Sequence, residues 1–309
     1  MDRTEDQRPI MFGEVLFDMF PDGSVALGGA PFNVAWHLQA FGLQPLLISR
    51  VGADALGRRV GAAMLEWGMD RSGLQIDSAH PTSTVNITFN DGEPEFDIVA
   101  NRAIDYIDRY AIPPYWTSRP LYHGTLAMRR SVSKETLWEL KSNSEGLCFM
   151  DVNLRPPWWT LSEVVAALDG VSCIKVNHGE LEQIVQSGST LEERVEWLFA
   201  RTTAQTVLVT RGKEGAVVFM SDGSQTSVVP AQTIEVVDTV GAGDAFSAVM
   251  LMGLIKEWPI DVTLSRAQSF ASSIVGVRGA VVNDKQFYSN YLQQWHNEIS
   301  QEDSELVNI

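Results

Sequence analysis

A glycine-rich turn followed by a long apolar run is the stretch of this sequence best suited to chemistry. Gly241 and Gly243 precede a single carboxylate, Asp244, and residues 245–255 contain no charged side chain. The run predicts a buried helix, and glycines at its start leave backbone N–H groups free to meet an anion at the positive end of the helix dipole. Asp244 is either a helix cap or a general base beside a bound phosphate. Asp238, three residues before the first glycine, favours the second interpretation.

A second glycine pair enters a predicted helix near the N-terminus. Gly28 and Gly29 are followed by Pro31, which suits a first helical position, and then by Asn33. Asp18 closes the preceding apolar run. The pair alone is compatible with an ordinary turn, but an ionised carboxylate accepts two hydroxyl hydrogens and an asparagine both donates and accepts. These residue types therefore suit a ligand with several hydroxyl groups.

Three further polar elements each follow a predicted strand. Asp151, Asn153 and Arg155 alternate with apolar residues, and alone they are equally compatible with a plain polar loop. Asn177 and Glu180 have the spacing of a helix cap and its box partner, which is compatible with ligand binding as well. The third element is the loop of sequence Thr210-Arg-Gly-Lys-Glu-Gly215.

Two of these motifs resemble a known family. The segment Asp238-Thr-Val-Gly-Ala-Gly-Asp244 is similar to the C-terminal signature of the ribokinase-like (PfkB-type) sugar kinases, and Gly28-Gly-Ala-Pro-Phe-Asn33 is similar to their N-terminal signature. The resemblance extends from about Gly13 to about Val282 and is greatest to bacterial fructokinases. It implies transfer of the γ-phosphate of ATP to a sugar hydroxyl, with Mg²⁺ and with K⁺ as an expected activator.

The resemblance also implies roles for individual residues. The catalytic group would be Asp244 with the amides of Gly241, Ala242 and Gly243. The sugar-binding residues would be Asp18, Gly28, Gly29, Asn33, Arg102 and Arg155, although a surface position is an alternative for Arg102. The nucleotide-binding residues would be Asn177, Glu180, Thr210, Gly212 and Gly215. Glu180 would hold Mg²⁺ through water, and Asp238 with the Val240 carbonyl would hold the monovalent cation together with the loop at 275–280.

The order of predicted elements indicates the fold class. Strands alternate with helices along most of the chain, with a first strand expected over residues 10–17, and this pattern predicts a mostly parallel central sheet with helices on both faces. Residues 82–99 differ, because alternating apolar residues surround the turn Asn90-Asp-Gly92 and predict an antiparallel ribbon. We expect one ribokinase-like α/β domain over 1–309, with a small β lid from about 14–27 and 82–105.

Composition excludes several classes of partner. A net charge of −16 argues against nucleic acid or an anionic membrane as a ligand. The polar N-terminus lacks a signal peptide, and Cys148 and Cys173 lie in apolar runs typical of reduced core thiols. The expected location is the cytoplasm, with a sugar and ATP as small-molecule partners and a homodimer through the lid. The histidines show no metal-ligand spacing, and no Walker or Rossmann motif is present.

The sequence therefore predicts an ATP-dependent sugar kinase whose acceptor is fructose. Within the same family, 2-keto-3-deoxygluconate, ribose and nucleosides are alternative acceptors. From a different class, a catalytically silent sugar-sensing protein on the same fold is the alternative. Asp244 together with both glycines argues against that alternative.

Overall fold

The strands of this protein form two sheets. The computed structural model describes residues 8–90, 93–114, 119–144, 146–230 and 236–306. Within those residues the strands are β1 (Ile10–Phe12), β2 (Leu16–Met19), β3 (Val25–Gly28), β4 (Leu46–Gly52), β5 (Leu74–Asp77), β6 (Ser83–Asn90), β7 (Glu93–Ile98), β8 (Leu121–His123), β9 (Cys148–Asp151), β10 (Cys173–Asn177), β11 (Thr206–Thr210), β12 (Ala216–Met220) and β13 (Gln225–Val228). The helices are α1 (Ala30–Ala40), α2 (Ala55–Trp67), α3 (Ser131–Ser142), α4 (Leu161–Ala167), α5 (His178–Ile184), α6 (Leu191–Phe199), α7 (Ala242–Ile255), α8 (Ile260–Val275) and α9 (Lys285–Leu306).

The larger sheet has nine strands among the described residues and is parallel over most of its width. Its order is β13-β12-β11-β10-β9-β8-β1-β4-β5, and every neighbouring pair from β11 to β5 is parallel. Side chains alternate between two apolar layers: Met11 packs with α1, α7 and α8, whereas Ile10 and Phe12 pack on the opposite face with α3 and α4. A sheet buried on both faces explains why its strands read as short apolar runs. The predicted α/β class is confirmed.

The smaller sheet corrects one sequence-based expectation. Residues 10–17 do not form a single strand, because the chain turns at Gly13 and β2 leaves the large sheet for a second sheet ordered β3-β2-β6-β7. Gly13 has φ of +143°, and a Cβ atom there would lie 2.7 Å from the Pro31 ring, so the break requires glycine. The ribbon predicted over 82–99 is the β6–β7 hairpin; its predicted turn residues Asp91 and Gly92 lie outside the described part of the chain.

Helix α7 is the buried helix that the apolar run predicts. Its residues 245–253 are all buried, and at Gly253 a Cβ atom would lie 2.2 Å from Thr263, so α8 packs directly against the α7 backbone. Among the residues that the structure describes, none of the helices has the length and apolar character needed to span a bilayer. The antiparallel edge formed by β12 and β13 was not predicted from the sequence.

Candidate active site

The candidate site lies where the carboxyl ends of the central strands meet the first turns of α1 and α7. Asp151 ends β9 and is paired in register with Lys175 of β10, and Asn177 is paired with Thr210 at the end of β11. Because parallel strands end at one edge of a sheet, residues far apart in the chain are collected there. This is the edge at which the sequence predicted a ligand.

The turn before α7 is held by the two features that the sequence singled out. Gly241 has φ of +81°, and a Cβ atom there would lie 2.4 Å from the Ala280 backbone, so only glycine fits. Asp238 accepts hydrogen bonds from the backbone N–H groups of Val240 (3.0 Å) and Gly279 (3.1 Å). The turn is therefore fastened to the loop at 275–280, beside which the sequence predicted a cation.

Asp244 is not the cap of α7. The N-cap is Gly241, and the Asp244 carboxylate in the first turn accepts a hydrogen bond from Nδ2 of Asn33 at 2.7 Å. The residue as a whole is partly exposed, whereas its carboxyl is surrounded by protein. Burial raises the pKa of Asp244 from 3.8 to about 7, although the Asn33 hydrogen bond opposes the shift. A carboxyl with a pKa near neutrality is suited to accept a proton from an alcohol.

A polar corner next to Asp244 is suited to hold hydroxyl groups. A Cβ atom on Gly28 would lie 3.8 Å from Oδ2 of Asp18 and 4.0 Å from Oδ1 of Asn33, so the two side chains flank this bare backbone. Oδ1 of Asn33 is buried and has no hydrogen-bond partner among the described residues. Such an acceptor is costly unless a ligand donates to it. Gly29, the N-cap of α1, lies directly against the Glu14 backbone.

Arg155 is the positive charge that faces this corner. It is exposed on the loop after β9, which contains Asn153 with φ of +42°. Its guanidinium opposes the burial that raises the pKa values of Asp18 and Asp244, so it lies near both carboxyls. An exposed arginine between two carboxyls that need a ligand is suited to contact a phosphate or an anionic part of the substrate.

Asn177 and Glu180 form the predicted capping box. Oδ1 of Asn177 accepts from the Glu180 N–H, and Oε2 of Glu180 accepts from the Asn177 N–H, both at 2.9 Å. Oε1 of Glu180 also accepts from the Leu154 N–H at 2.8 Å, which ties the Arg155 loop to the end of β10. Burial raises the pKa of Glu180. The contacts establish a structural role, and magnesium binding through water stays a prediction.

The predicted nucleotide loop lies beside Asn177. Thr210 ends β11, and residues 212–214 make one helical turn that closes when Gly215 N–H donates to the Gly212 carbonyl (3.0 Å). Both glycines have positive φ. The hydrogen bond and the two glycine conformations fix the shape of the loop, and its contact with ATP stays a prediction.

Arg102 is the predicted residue that the structure leaves least connected to the site. It begins a short helical turn in which its backbone N–H bonds to Asp105 at 2.9 Å, and its buried Nε has no partner among the described residues. No hydrogen bond described here joins Arg102 to Asp18, Asn33 or Asp244. Its assignment to the sugar stays a prediction.

Several groups near the site were not assigned roles from the sequence. Nζ of Lys175 lies 2.6 Å from Oδ2 of Asp151, and the hydroxyls of Ser247 (2.8 Å) and Tyr122 (3.3 Å) donate to the same oxygen. A lysine inside an apolar strand was the available signal, because a buried ammonium requires a partner. Arg129 and Asp105 form a second buried ion pair, and nothing in the sequence beyond their residue types indicated that they would pair.

Within the described residues, no three His, Cys, Asp or Glu side chains converge as a metal cage. This arrangement fits Mg²⁺ held largely by nucleotide phosphates and water, which is its usual coordination in kinases.

Comparison with known proteins places this geometry in context. The sequence pattern of the family described as pfkB family carbohydrate kinase matches residues 11–286. The chain is 30% identical to the fructokinase of Klebsiella pneumoniae over 261 residues, covering 79% of this chain and 83% of that protein. The structure is similar to the fructokinase of Vibrio cholerae O395 in its fructose, ADP and calcium ion bound form (TM-score 0.78, 24% identity, 89% and 94% of the two chains). It is also similar to the aminoimidazole riboside kinase of Salmonella enterica complexed with aminoimidazole riboside and an ATP analog (TM-score 0.80, 22% identity, 93% and 100%).

Proposed function

The chain belongs to the pfkB family of carbohydrate kinases and is an ATP-dependent sugar kinase, and from this premise we propose that its acceptor is fructose. Similarity to fructokinases supports the choice of fructose, and the observation that carries the kinase chemistry is the position of Asp244. Its carboxyl, with a pKa of about 7, lies in the first turn of α7 and accepts a hydrogen bond from Asn33. A base is thus placed between a hydroxyl-binding corner and an anion-binding turn.

Asp244 acts as the general base in this proposal. The carboxylate takes the proton from the sugar hydroxyl as that oxygen attacks the γ-phosphoryl group, and the Asn33 amide holds it in position. Proton transfer by a positioned side chain contributes about 10²–10⁴ in rate, and it is most effective when the pKa of the base lies near the working pH.

The backbone of residues 241–244 stabilises the charge on the transferring group. The N–H groups at the start of α7 have no partners within the helix, and the helix dipole adds positive potential there. Because Gly243 is exposed and carries no side chain, a phosphoryl group can approach the backbone closely. Donors held in place before the reaction stabilise developing charge without reorganisation.

Asp18 and Asn33 hold the sugar, and Arg155 contacts its phosphate-proximal side. The free Oδ1 of Asn33 and the Asp18 carboxylate accept hydrogen bonds from neighbouring hydroxyls on either side of Gly28. Burial raises the pKa of Asp18 in the absence of ligand, and Arg155 partly offsets that cost. A sugar with vicinal hydroxyls supplies the missing donors.

Asn177 and Glu180 would hold Mg²⁺ through water, and Thr210, Gly212 and Gly215 would contact the nucleotide. When bound, the metal neutralises charge on the phosphate oxygens. Asp238 and the Val240 carbonyl would hold K⁺ beside the loop at 275–280, where the two segments already contact each other. Equal rates in potassium and in a bulky organic cation at matched ionic strength would remove the potassium assignment.

The small sheet would act as the lid of a single catalytic domain over 1–309. Its strands come from the two predicted lid segments, and β3 leads directly through Gly28 and Gly29 into α1. A homodimer formed through this sheet and a cytoplasmic location are further parts of the proposal. The two cysteines are free and buried, which suits a reducing compartment.

A panel of acceptors tests the proposal. ADP release by the purified chain with ATP and Mg²⁺ is measured with fructose, ribose, 2-keto-3-deoxygluconate and nucleosides, including aminoimidazole riboside. We expect the highest kcat/KM with fructose. Another acceptor that exceeds fructose tenfold, equal to about 1.4 kcal/mol of transition-state discrimination, would overturn the fructose assignment.

The same panel tests the silent-sensor alternative. The Asp244→Asn variant serves as the control for contaminating kinases, because activity that survives this substitution unchanged does not arise at Asp244. Sugar binding without turnover by any acceptor would favour the sensor and contradict the kinase.

A further inference from the structure

The ion pair between Lys175 and Asp151 lies directly behind the anion-binding turn. Both residues are buried, and Nζ of Lys175 is 2.6 Å from Oδ2 of Asp151. A Cβ atom built on Gly243 would lie 3.5 Å from the same Nζ atom. The ammonium therefore faces the side of Gly243, the residue that precedes Asp244, on which a side chain would stand.

The pair is also fixed to α7 from the other side. The Ser247 hydroxyl lies 2.8 Å from Oδ2 of Asp151 and 3.0 Å from the Gly243 carbonyl, so it can bond to either. The Tyr122 hydroxyl donates to the same Asp151 oxygen at 3.3 Å. Two sheet strands are thereby joined to the first turn of α7 through charged and hydroxyl groups rather than through apolar packing alone.

Stability is a weak explanation for such a pair. Removing two charges from water costs several kcal/mol for each ion, and a buried pair often contributes less to stability than apolar side chains of the same volume. A charge pair retained against the active turn therefore calls for a role in the chemistry of that turn.

We propose that Lys175 and Asp151 are positioning residues that hold the first turn of α7, and with it the Asp244 carboxyl, in place and set its electrostatic environment. The proposal rests on the assignment of Asp244 as the general base. Neither residue contacts a reacting atom in it: the lysine acts through the Gly243 backbone, and the aspartate holds the lysine in place. The positive charge of Lys175 favours the ionised form of Asp244, whereas the negative charge of Asp151 favours the protonated form.

The charges around Asp244 support these opposite effects of Lys175 and Asp151. From the strand side, the Lys175 ammonium lowers and the Asp151 carboxylate raises the pKa of Asp244, and Arg155 on the loop after β9 also lowers it. Tyr122 of β8 is a neutral phenol, because burial raises its pKa well above the usual value. On the lid side, the Asn33 amide of α1 donates to Asp244. Asp18 and Glu14 are the carboxyls on that side, and burial raises the pKa values of both.

The test compares pH profiles of variants that remove one charge at a time. The kcat/KM for the best sugar is measured from pH 5 to 9 at saturating ATP and Mg²⁺, since its acidic limb reports the carboxyl of the enzyme that awaits sugar. We expect Lys175→Met to move that limb up by about one pH unit and Asp151→Asn to move it down by about one. The protonation of ATP itself is the same for every variant and cancels in the comparison.

Three further variants separate electrostatics from damage to the fold. Lys175→Arg keeps the positive charge, so the acidic limb of its kcat/KM profile should stay at the wild-type pH. Lys175→Met with Asp151→Asn removes both charges and should return the limb to its wild-type position; this double variant leaves no unpaired ion, so it is testable if the single variants do not fold. Arg266→Met breaks an ion pair between the buried Arg266 and the partly exposed Glu298 on α9, remote from Asp244, and should lower stability without moving the limb.

The outcomes separate this proposal from the proposed function. In Lys175→Met, the hydroxyls of Ser247 and Tyr122 still lie within hydrogen-bond distance of Asp151. Limbs that stay in place, or that move in the same direction in both single variants, would overturn the role of the pair while a wild-type enzyme remained active. A wild-type chain that phosphorylates no acceptor would instead refute the function itself.

Discussion

Asn33 and Asp244 are joined by a hydrogen bond of 2.7 Å although 211 residues separate them in the chain. The bond connects the first turn of α1, which carries the hydroxyl-binding corner, to the first turn of α7, which carries the anion-binding turn. Asn33 donates through Nδ2, so its Oδ1 stays available to the sugar. In the proposed function, this one amide therefore positions the sugar relative to the base.

The first prediction concerns the base. Asp244→Asn keeps the size of the side chain but cannot accept the proton, so we expect kcat to fall by about 10²–10⁴ with little change in ATP affinity. Steady-state kinetics and nucleotide titration measure the two quantities. If Asp244 served only the helix terminus, asparagine would replace it with near-normal kcat, because both residues suit helix N-termini.

The second prediction concerns sugar recognition. Asp18 lies beside Gly28 in the hydroxyl-binding corner, and the proposed function assigns it hydrogen bonds to hydroxyls that already form in the ground state. Asp18→Asn should raise the KM for the sugar by about 10- to 150-fold and change kcat less, since the loss of a charge-assisted hydrogen bond costs about 1.5–3 kcal/mol. A variant with unchanged KM and a lower kcat would assign Asp18 to the chemical step instead.

The third prediction concerns the turn before α7. Gly241→Ala must place a Cβ atom against Ala280 and adopt φ of +81°. We expect lower kcat together with lower stability, because the turn carries the amides of the proposed cradle. Gly223→Ala is the matched control: its φ is +88° but no atom lies within 4 Å of the new Cβ. Its cost should be limited to backbone strain of about 1–2 kcal/mol, with kcat unchanged.

Local signals explain which parts of the fold were predictable from the sequence. Gly68 ends α2 in the left-handed conformation, and Thr190 with Glu193 forms a capping box, because these features depend on residues within one helical turn. The break between β1 and β2 was missed, since it depends on the contact of Gly13 with the distant Pro31. Composition along the chain does not report such contacts.

In the candidate site too, local motifs mark some residues, whereas other contacts depend on residues far apart in the chain. Asp244, Asn33 and Asp18 were identified because family motifs mark them, and the structure brings all three to one corner. Lys175 was assigned no role, since a lysine within an apolar strand shows its importance only when Asp151 and Gly243 are seen against it. The hydrogen bond between Asn33 and Asp244 was not predicted either, because no local pattern encodes a pairing across 211 residues.

The last prediction concerns the stability that the protein loses by carrying its base. Burial holds the pKa of Asp244 at about 7 in the folded state, against an ordinary value of 3.8. Below pH 3.8 the carboxyl is protonated in both states and contributes nothing. Between 3.8 and 7 the unfolded chain loses the proton while the folded chain keeps it, so this group destabilises the fold increasingly as pH rises. Above 7 the full cost is present.

Replacement by asparagine removes this cost and keeps an acceptor for the Asn33 amide. The favourable interaction of a carboxylate with a helix N-terminus is only about 0.3–1 kcal/mol, whereas each pH unit of raised pKa corresponds to about 1.4 kcal/mol. Asp244→Asn should therefore have a Tm higher than wild type by about 2–4 °C or more at pH 8. The difference should shrink steadily as the pH is lowered to 4. Thermal unfolding of both proteins across that range measures it, and all other titrating groups cancel in the difference. A variant that is less stable than wild type by the same amount at every pH would show that Asp244 stabilises the helix terminus and is not held at a raised pKa.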